Sequence, residues 1–204
     1  MRFFAFALMF LAVTTQAAPK VLVCAAESAT VRSDITAKLG ALKDFASVTA
    51  LDCGSGGSTP DLATLKTYDA VLVWDDYYWF YPYKDRITLG NSLADYVDAG
   101  GGVVQVMWNY YTNYDLGGRW SSDGYSCIKS SFSYTSSTKT LAAQPSELGS
   151  PLTTGVTTMG TARSLTSVQL ANGATPVWTF TDSTPAIVRC TPKGRPRIDL
   201  NLDV

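Results

Sequence analysis

Uninterrupted apolar runs alternate with amphipathic stretches along the first half of the chain, and this alternation limits the possible folds more than any other feature. The runs lack the polar–apolar alternation of a strand with one solvated face, so we expect both faces of their sheet to be covered. Strands and helices at this spacing predict right-handed crossovers and a parallel sheet with helices on both faces. The predicted strands are residues 20–25, 47–51, 70–74 and 103–107, and the predicted helices are residues 29–42, 61–65 and 88–99.

The second half of the chain follows a different pattern. Residues 109–150 are rich in Ser, Thr, Gly and Tyr and show little periodicity, which is typical of a functional loop or an insertion. Short β-like runs return at residues 176–180, 186–189 and 197–202, separated by turn residues. This spacing predicts an antiparallel meander at the edge of the sheet.

The amino terminus has the layout of a secretory signal. Arg2 precedes the apolar run 3–13, and small residues up to Ala17 occupy the positions that a signal peptidase reads. The run is too short for a bilayer, which needs about 20 apolar residues. We expect residues 1–17 to be a signal peptide and the mature chain to be secreted without a membrane anchor; a buried amino-terminal helix is the alternative.

The remaining residues, 18–204, are expected to form a single α/β domain. The chain ends at Val204, directly after the last predicted strand, and no helix closes the domain. This ending is compatible with a domain that is shortened at its carboxyl end. The oligomeric state is left open.

Four cysteines bear on the expected compartment. Secretion permits disulfides, so Cys24, Cys53, Cys127 and Cys190 are expected to be disulfide halves or buried apolar thiols, and three pairings stay open. No Cys-x-x-Cys spacing is present, which argues against a zinc site. We therefore expect neither a metal nor a cofactor.

The composition excludes several classes of function. The sequence contains no histidine, which rules out Ser-His-Asp and Cys-His catalysis and imidazole metal ligands. The formal net charge is −1. Because nucleic-acid binders carry a basic stripe, this balance argues against a nucleic-acid partner.

Six segments carry a resemblance to a known family. They are LKTYDAVLVW (65–74), LGNSLADYVDAGGGVV (89–104), LGGRW (116–120), SPLTTGV (150–156), LANGATPVWTFTDSTPAIV (170–188) and GRPRIDLNL (194–202). In this order they resemble the class I glutamine amidotransferase-like superfamily, and within it the secreted or trehalose-utilisation-type members. The resemblance implies a three-layer, flavodoxin-like α/β fold.

The resemblance does not extend to the catalytic residues. Catalytic members have a Cys on a sharp elbow after the strand that corresponds to residues 103–107, followed later by a His and an acid. Here that strand runs into Trp108-Asn109-Tyr110, without a G-x-C-x-G elbow, and the chain has no His. We therefore expect the fold of the family without its amidotransferase activity and name no catalytic residue.

Two aromatic loops mark a candidate ligand site. Residues 74–83 and 108–114 follow predicted strands, contain more than half of the aromatic residues of the mature chain, and leave the same edge of the sheet. Ligands of parallel α/β sheets bind beyond the carboxyl ends of the strands. The candidate ligand-binding residues are Asp75, Asp76, Tyr77, Tyr78, Trp79, Trp108, Asn109 and Tyr110.

Several interpretations of these loops stay open. The rings either pack under the 109–150 segment or form a stacking platform, and a saccharide suits rings that are interleaved with hydrogen-bonding side chains. Tyr and Trp also anchor protein partners. The leading hypothesis is a non-catalytic, carbohydrate-binding domain. The alternatives are a His-free glycoside hydrolase that uses two of Glu27, Asp75 and Asp76, and an interaction domain of a larger surface protein.

Overall fold

The computed structural model describes residues 17–76, 81–111, 114–129, 133–143, 145–146, 156 and 159–203. Most of the predicted signal peptide, residues 1–16, lies outside this part, so its removal stays a prediction. In chain order the elements are β1 (Lys20–Ala26), α1 (Ala29–Ala41), β2 (Ser47–Asp52), α2 (Leu62–Leu65), β3 (Ala70–Asp75), α3 (Arg86–Asp98), β4 (Gly102–Val106), α4 (Gly118–Ser122), β5 (Tyr134–Thr135), β6 (Lys139–Thr140), β7 (Gly160–Thr161), β8 (Ser164–Leu165), β9 (Thr175–Thr179), β10 (Pro185–Cys190) and β11 (Arg197–Leu200).

A seven-stranded sheet organises the domain, with strand order β2-β1-β3-β4-β11-β10-β9. The five strands from β2 to β11 are parallel to their neighbours, whereas β11, β10 and β9 pair antiparallel. All residues of β1 after Lys20 are buried, as expected for a strand that is covered on both faces. The predictions of a mixed α/β fold, a central parallel sheet and an antiparallel meander at its edge are confirmed.

Helices cover both faces of the sheet. On one face, Leu89, Leu93 and Val97 of α3 pack against Val71 and Val73 of β3. On the other face, the apolar side of α1 packs against a second core through Val31, Ile35 and Leu39. Helix α3 therefore buries the apolar stripe that its sequence periodicity predicts, whereas the stripe of α1 is only partly buried and its predicted member Leu42 is 57% exposed.

Two of the element boundaries differ from the predicted ones. Helix α3 begins at Arg86, before the predicted residue 88, because the carboxylate of Asp85 accepts hydrogen bonds from the backbone N–H groups of Ile87 and Thr88 at 3.0 and 2.9 Å. Strand β4 ends at Val106, one residue earlier than predicted. The next residues, Met107–Tyr110, form a 3₁₀ turn.

The segment that was predicted to be irregular contains short elements of its own. Helix α4 lies within it, and the two-residue strands β5 and β6 pair antiparallel with β8 and β7. These elements are too short to produce a hydrophobic period, so the sequence pattern does not reveal them.

Two disulfides join distant parts of the chain. Cys24 in β1 pairs with Cys53, and Cys127 pairs with Cys190 in β10, which resolves the open pairings. Disulfides persist in oxidising compartments, so they indicate a location outside the cytoplasm. A separate finding is that no helix in the described part of the chain has the length and apolar character to cross a membrane.

Candidate functional site

A cleft opens beyond the carboxyl ends of the parallel strands, where the chain order reverses. From β1 the chain adds β2 on one side and later β3 on the other, so this is the topological switch point of the sheet, the usual ligand position in this architecture. The cleft has a volume of about 430 Å³. The residues used below to describe this switch-point cleft are Glu27, Ser28, Arg32, Asp52, the Gly54–Gly56 loop and Tyr81.

The start of α1 and the end of β2 build one wall of the cleft. Ser28 caps α1, since its hydroxyl accepts a hydrogen bond from the N–H of Val31 at 3.2 Å. One turn into the helix, Arg32 forms an ion pair with Asp52 at 2.9 Å and also donates to the main-chain oxygen of Glu27. These contacts fix a guanidinium and a carboxylate side by side on the cleft surface.

Glu27 and Asp76 meet at the ends of β1 and β3. The two strands are in register up to Ala26 and Asp75, and the N–H of Asp76 donates to the oxygen of Ala26 at 2.9 Å. Burial, followed by the charge of the neighbouring Glu27 carboxyl, raises the pKa of Asp76.

Among the described residues, the aromatic residue that lines the cleft is Tyr81. Tyr81 forms an antiparallel bridge with Asp76, the residue that follows β3. The Tyr81 side chain is 37% exposed, and its ring is available beside the polar wall. The predicted ligand residues Tyr77, Tyr78 and Trp79 lie in the same loop, outside the described residues, and their role stays a prediction.

Asp75 lies on the opposite face of the sheet from Asp76, because side chains alternate along a strand. It is buried, and desolvation raises its pKa well above the ordinary value. One carboxyl oxygen, Oδ1, has no hydrogen-bond partner within the described residues. Nearby, the hydroxyl of Tyr83 donates to the Asn109 side chain at 2.7 Å, and Asn109 donates to the oxygen of Val73 at 3.0 Å. Asn109 is therefore a buried residue that links the Tyr83 side chain to the backbone of β3 through hydrogen bonds.

The predicted ligand residues of the second aromatic loop are enclosed in the fold. Trp108 is buried, and its indole N–H donates to Asp203 at 3.0 Å. The buried Tyr110 donates its hydroxyl to the oxygen of Gln105 at 2.7 Å. The structure thus gives Trp108, Asn109 and Tyr110 packing contacts, and their binding role remains a prediction.

More exposed rings surround Trp108. Its ring centroid lies 5.9 Å from that of Tyr111 and 5.1 Å from that of Tyr134, and Tyr111 stacks on Tyr114 at 5.1 Å. Tyr134 is 39% exposed. These four residues form a partly solvated aromatic cluster at the same edge of the sheet.

A second cavity, of about 460 Å³, lies beside α4. Asn109, Asp115, Trp120 and Lys129 are among its lining residues. Asp115 is held by Arg86 at 3.3 Å, and the Trp120 indole N–H donates to Gln105 at 2.8 Å. Of the predicted ligand residues, Asn109 lines this cavity, and most of its other walls come from the weakly periodic segment.

Sequence reasoning missed one cleft residue, Arg32. Asp52 directly follows a predicted strand, so the sequence already places its carboxylate at the same edge as Asp76. Arg32 lies inside a helix, and only the packing of α1 against β2 brings it to the cleft. Within the described residues, no three side chains of Cys, Asp or Glu are grouped so that they could hold a metal ion.

The fold and this edge site define a class: a disulfide-linked, flavodoxin-like α/β domain with a cleft at the switch point of its sheet. No family model matches the sequence, and no curated protein is significantly similar to it.

Solved structures share the fold. A cytoplasmic protein of Salmonella typhimurium has a TM-score of 0.62 and 12% identity, over 90% of this chain and 87% of that one. A ThuA-like protein of Bacteroides uniformis has a TM-score of 0.59 and 14% identity, over 92% and 83%. An exo-β-1,4-mannosidase of an Opitutaceae bacterium has a TM-score of 0.56 and 11% identity, over 91% of this chain and 31% of the enzyme. At these identities the likeness concerns the fold alone.

Proposed function

We propose that the chain is a secreted, non-catalytic binding domain of amidotransferase-like fold and that its ligand is a carbohydrate held in the switch-point cleft. The observation that carries the proposal is the composition of the cleft. Tyr81, which is 37% exposed, lines the cleft together with Arg32 and Asp52, which are already paired. Sugars bind to this combination, since their C–H faces stack on rings and their hydroxyls bond to fixed planar polar groups.

The charge of the cleft narrows the ligand class. Glu27 and Asp52 line it against one guanidinium, that of Arg32. An acidic sugar such as a uronic acid would meet like charge there. We therefore expect neutral saccharides to bind better than uronic acids or sulfated glycans.

One structural neighbour supports the proposal indirectly. About a third of the exo-β-1,4-mannosidase matches nearly the whole of this chain, so a domain of this fold occurs inside an enzyme that acts on β-1,4-mannosides. This makes β-1,4-mannohexaose a reasonable first soluble ligand, alongside a broad glycan array.

Replacing the cleft ring tests the proposal. Tyr81→Ala should weaken saccharide binding at least about tenfold, because it removes the stacking surface. The control is Tyr134→Ala, which removes the same side chain at almost the same exposure, 39% against 37%, from the aromatic cluster around Trp108. Isothermal titration calorimetry of both variants and the wild type gives the comparison.

Two results would count against the proposal. Array signals at background for every saccharide would remove the carbohydrate ligand. Loss of binding in Tyr134→Ala with unchanged binding in Tyr81→Ala would move the ligand from the cleft to the aromatic cluster.

A further inference from the structure

We infer that the switch-point cleft is one end of a longer binding surface and that its ligand is an extended oligosaccharide, held over several sugar units. An open groove continues the cleft between helix α1 and the outer edge of strand β2. The inference rests on the proposed saccharide ligand, and it adds the length of the chain that the site accepts.

The α1–β2 groove and the cleft share a boundary. The groove has a volume of about 460 Å³, close to the 430 Å³ of the cleft. Ala29, Arg32 and Asp52 line both spaces. A linear ligand that leaves the cleft past these side chains therefore enters the groove directly. Beyond the shared residues, the groove is lined by Ser33, Thr36, Ala37 and Ala50.

The ion pair at this boundary is fixed by several hydrogen bonds. Asp52 accepts from Arg32 through Oδ2 and from the N–H of Gly54 through Oδ1, each at 2.9 Å. Arg32 also donates to the main-chain oxygen of Glu27. The Asp52 side chain is still 41% exposed, so its carboxylate can accept further hydrogen bonds from sugar hydroxyls. The pair can thus bond to one sugar unit on the cleft side and to the next on the groove side.

Helix α1 supplies a wall of short side chains. Ser33 and Ala37 are exposed and lie one helical turn apart, and Thr36 lies beside them. The Thr36 hydroxyl donates to the main-chain oxygen of Arg32 at 2.7 Å, which leaves its lone pairs for a donor from the ligand. These short side chains keep the groove open and still offer hydroxyl groups to a sugar.

The edge of β2 supplies main-chain groups. β2 is the end strand of the described sheet, next to β1. The N–H of Cys53 donates to the oxygen of Ala25 in β1 at 3.0 Å, and the main-chain groups of successive residues alternate in direction along a strand. The N–H and C=O groups of Ala50 therefore point away from β1, towards the open edge. Because Ala50 lines the groove, these groups can bond to a sugar that lies there.

The groove and the cleft hold a sugar in different ways. Tyr81 lines the cleft, whereas none of the described residues that line the groove is aromatic. Stacking on Tyr81 therefore anchors one part of the ligand, and the groove adds hydrogen bonds to further units. Since each such bond replaces a bond to water, its net contribution is modest, and the affinity should increase gradually with the length of the saccharide.

A comparison of two chain lengths tests the inference. β-1,4-Mannobiose and β-1,4-mannohexaose are titrated by calorimetry into the wild type and Ala37→Leu. Ala37 lines the groove and not the cleft, and a long helical side chain leans towards the start of its helix, so the larger side chain covers the groove towards Ser33. The mannobiose affinity should not change. The ratio of mannohexaose to mannobiose affinity should be at least about threefold larger in the wild type than in the variant.

The comparison between proteins removes a statistical effect. A long saccharide binds even a short site in more registers than a disaccharide does, and this gain is the same in the wild type and in Ala37→Leu. Only the part of the ratio that the variant loses reports contacts in the groove.

Ala41→Leu is the matched control. It makes the same change one turn further along α1, at an exposed position that lines neither space, and should keep the wild-type ratio. Ser33→Leu obstructs the groove from a second position and should lower the ratio as Ala37→Leu does. Both groove positions are exposed, so these substitutions leave the core intact.

The outcomes separate this inference from the proposed function. Equal ratios in the wild type, Ala37→Leu and Ser33→Leu overturn the longer binding surface, while saccharide binding that is lost in Tyr81→Ala still supports the cleft as a saccharide site. An equal loss of ratio in Ala41→Leu also overturns the inference. Absence of binding to every saccharide, on the array and in solution, overturns the proposed function and this inference with it.

Discussion

Arg197 and Asp199 form the most deeply buried ion pair among the described residues. Both side chains are fully enclosed, with Arg197 Nη2 3.1 Å from Asp199 Oδ1. The guanidinium lies over the Trp120 ring at 4.1 Å, and Asp199 accepts hydrogen bonds from the N–H groups of Cys127 and Ile128. Burial lowers the pKa of Arg197 and raises that of Asp199. Through Asp199, the pair connects β11 to Cys127 and Ile128, next to the Cys127–Cys190 disulfide.

Breaking this pair should be more harmful than replacing it. Asp199→Asn leaves the Arg197 cation buried without its counter-charge and should lower the free energy of unfolding by about 3–5 kcal/mol. The double variant Arg197→Met/Asp199→Leu should lose less than the single one, because no buried charge remains. Urea unfolding of the three proteins measures this. Equal or greater loss in the double variant would show that the pair itself is strongly stabilising.

Two adjacent aspartates, Asp75 and Asp76, have different surroundings that the sequence does not predict. Asp75 and Asp76 are chemically identical in the sequence, and both were candidate ligand residues. Strand alternation places Asp75 beside the buried Tyr83 and Asp76 beside Glu27. The face of the sheet on which each of the two carboxyl groups lies depends on the register of β3 with its neighbours. The local sequence pattern does not determine that register.

Helix α3 illustrates how one element is ended and joined to the next. Gly100 adopts a φ of +101°, and its N–H donates to Val97, while the N–H of Gly101 donates to Tyr96, each at 2.9 Å. These are the two hydrogen bonds of a Schellman motif. The Tyr96 ring lies against Gly101, where an added Cβ would come within 2.2 Å of the ring carbon Cζ.

A methyl group at Gly101 should therefore disturb the whole turn. Gly101→Ala should destabilise the protein by about 1–3 kcal/mol, because the Tyr96 ring must move and its hydroxyl would lose the hydrogen bond to Tyr68. Gly40→Ala is the control, since Gly40 lies inside α1 with open space around it and should gain about 0.5–1 kcal/mol. Thermal unfolding distinguishes the two. A neutral Gly101→Ala would show that the ring is not fixed there.

At the scale of single helices and strands, the accuracy of the sequence prediction depended on the length of the element. Long periodic elements such as α1, α3 and β1 were predicted within about two residues, since burial imposes a regular pattern on them. The two-residue strands and α4 were not, because their positions depend on tertiary contacts. The candidate cleft also depends on tertiary contacts, because only the packing of α1 against the sheet brings Arg32 to it.

For the molecule as a whole, a parallel sheet with helices on both faces followed from the alternation of elements, and the structure confirms both features. The order of the strands was not predicted. The disulfide partners did not follow, because four cysteines permit three pairings and only the fold selects one. The ligand position was predicted only as an edge of the sheet. The described residues form more than one cavity close to that edge, so the location of binding is the central question.

Mapping the bound saccharide on the intact domain answers that question most directly. The ¹⁵N-labelled protein is titrated with β-1,4-mannohexaose, and backbone amide shifts are followed by NMR. The account predicts that the largest shifts fall on Ser28, Arg32, Gly54 and Tyr81, around the switch-point cleft. Shifts confined to the cavity beside Trp120, or no shifts at saturating saccharide, would contradict it.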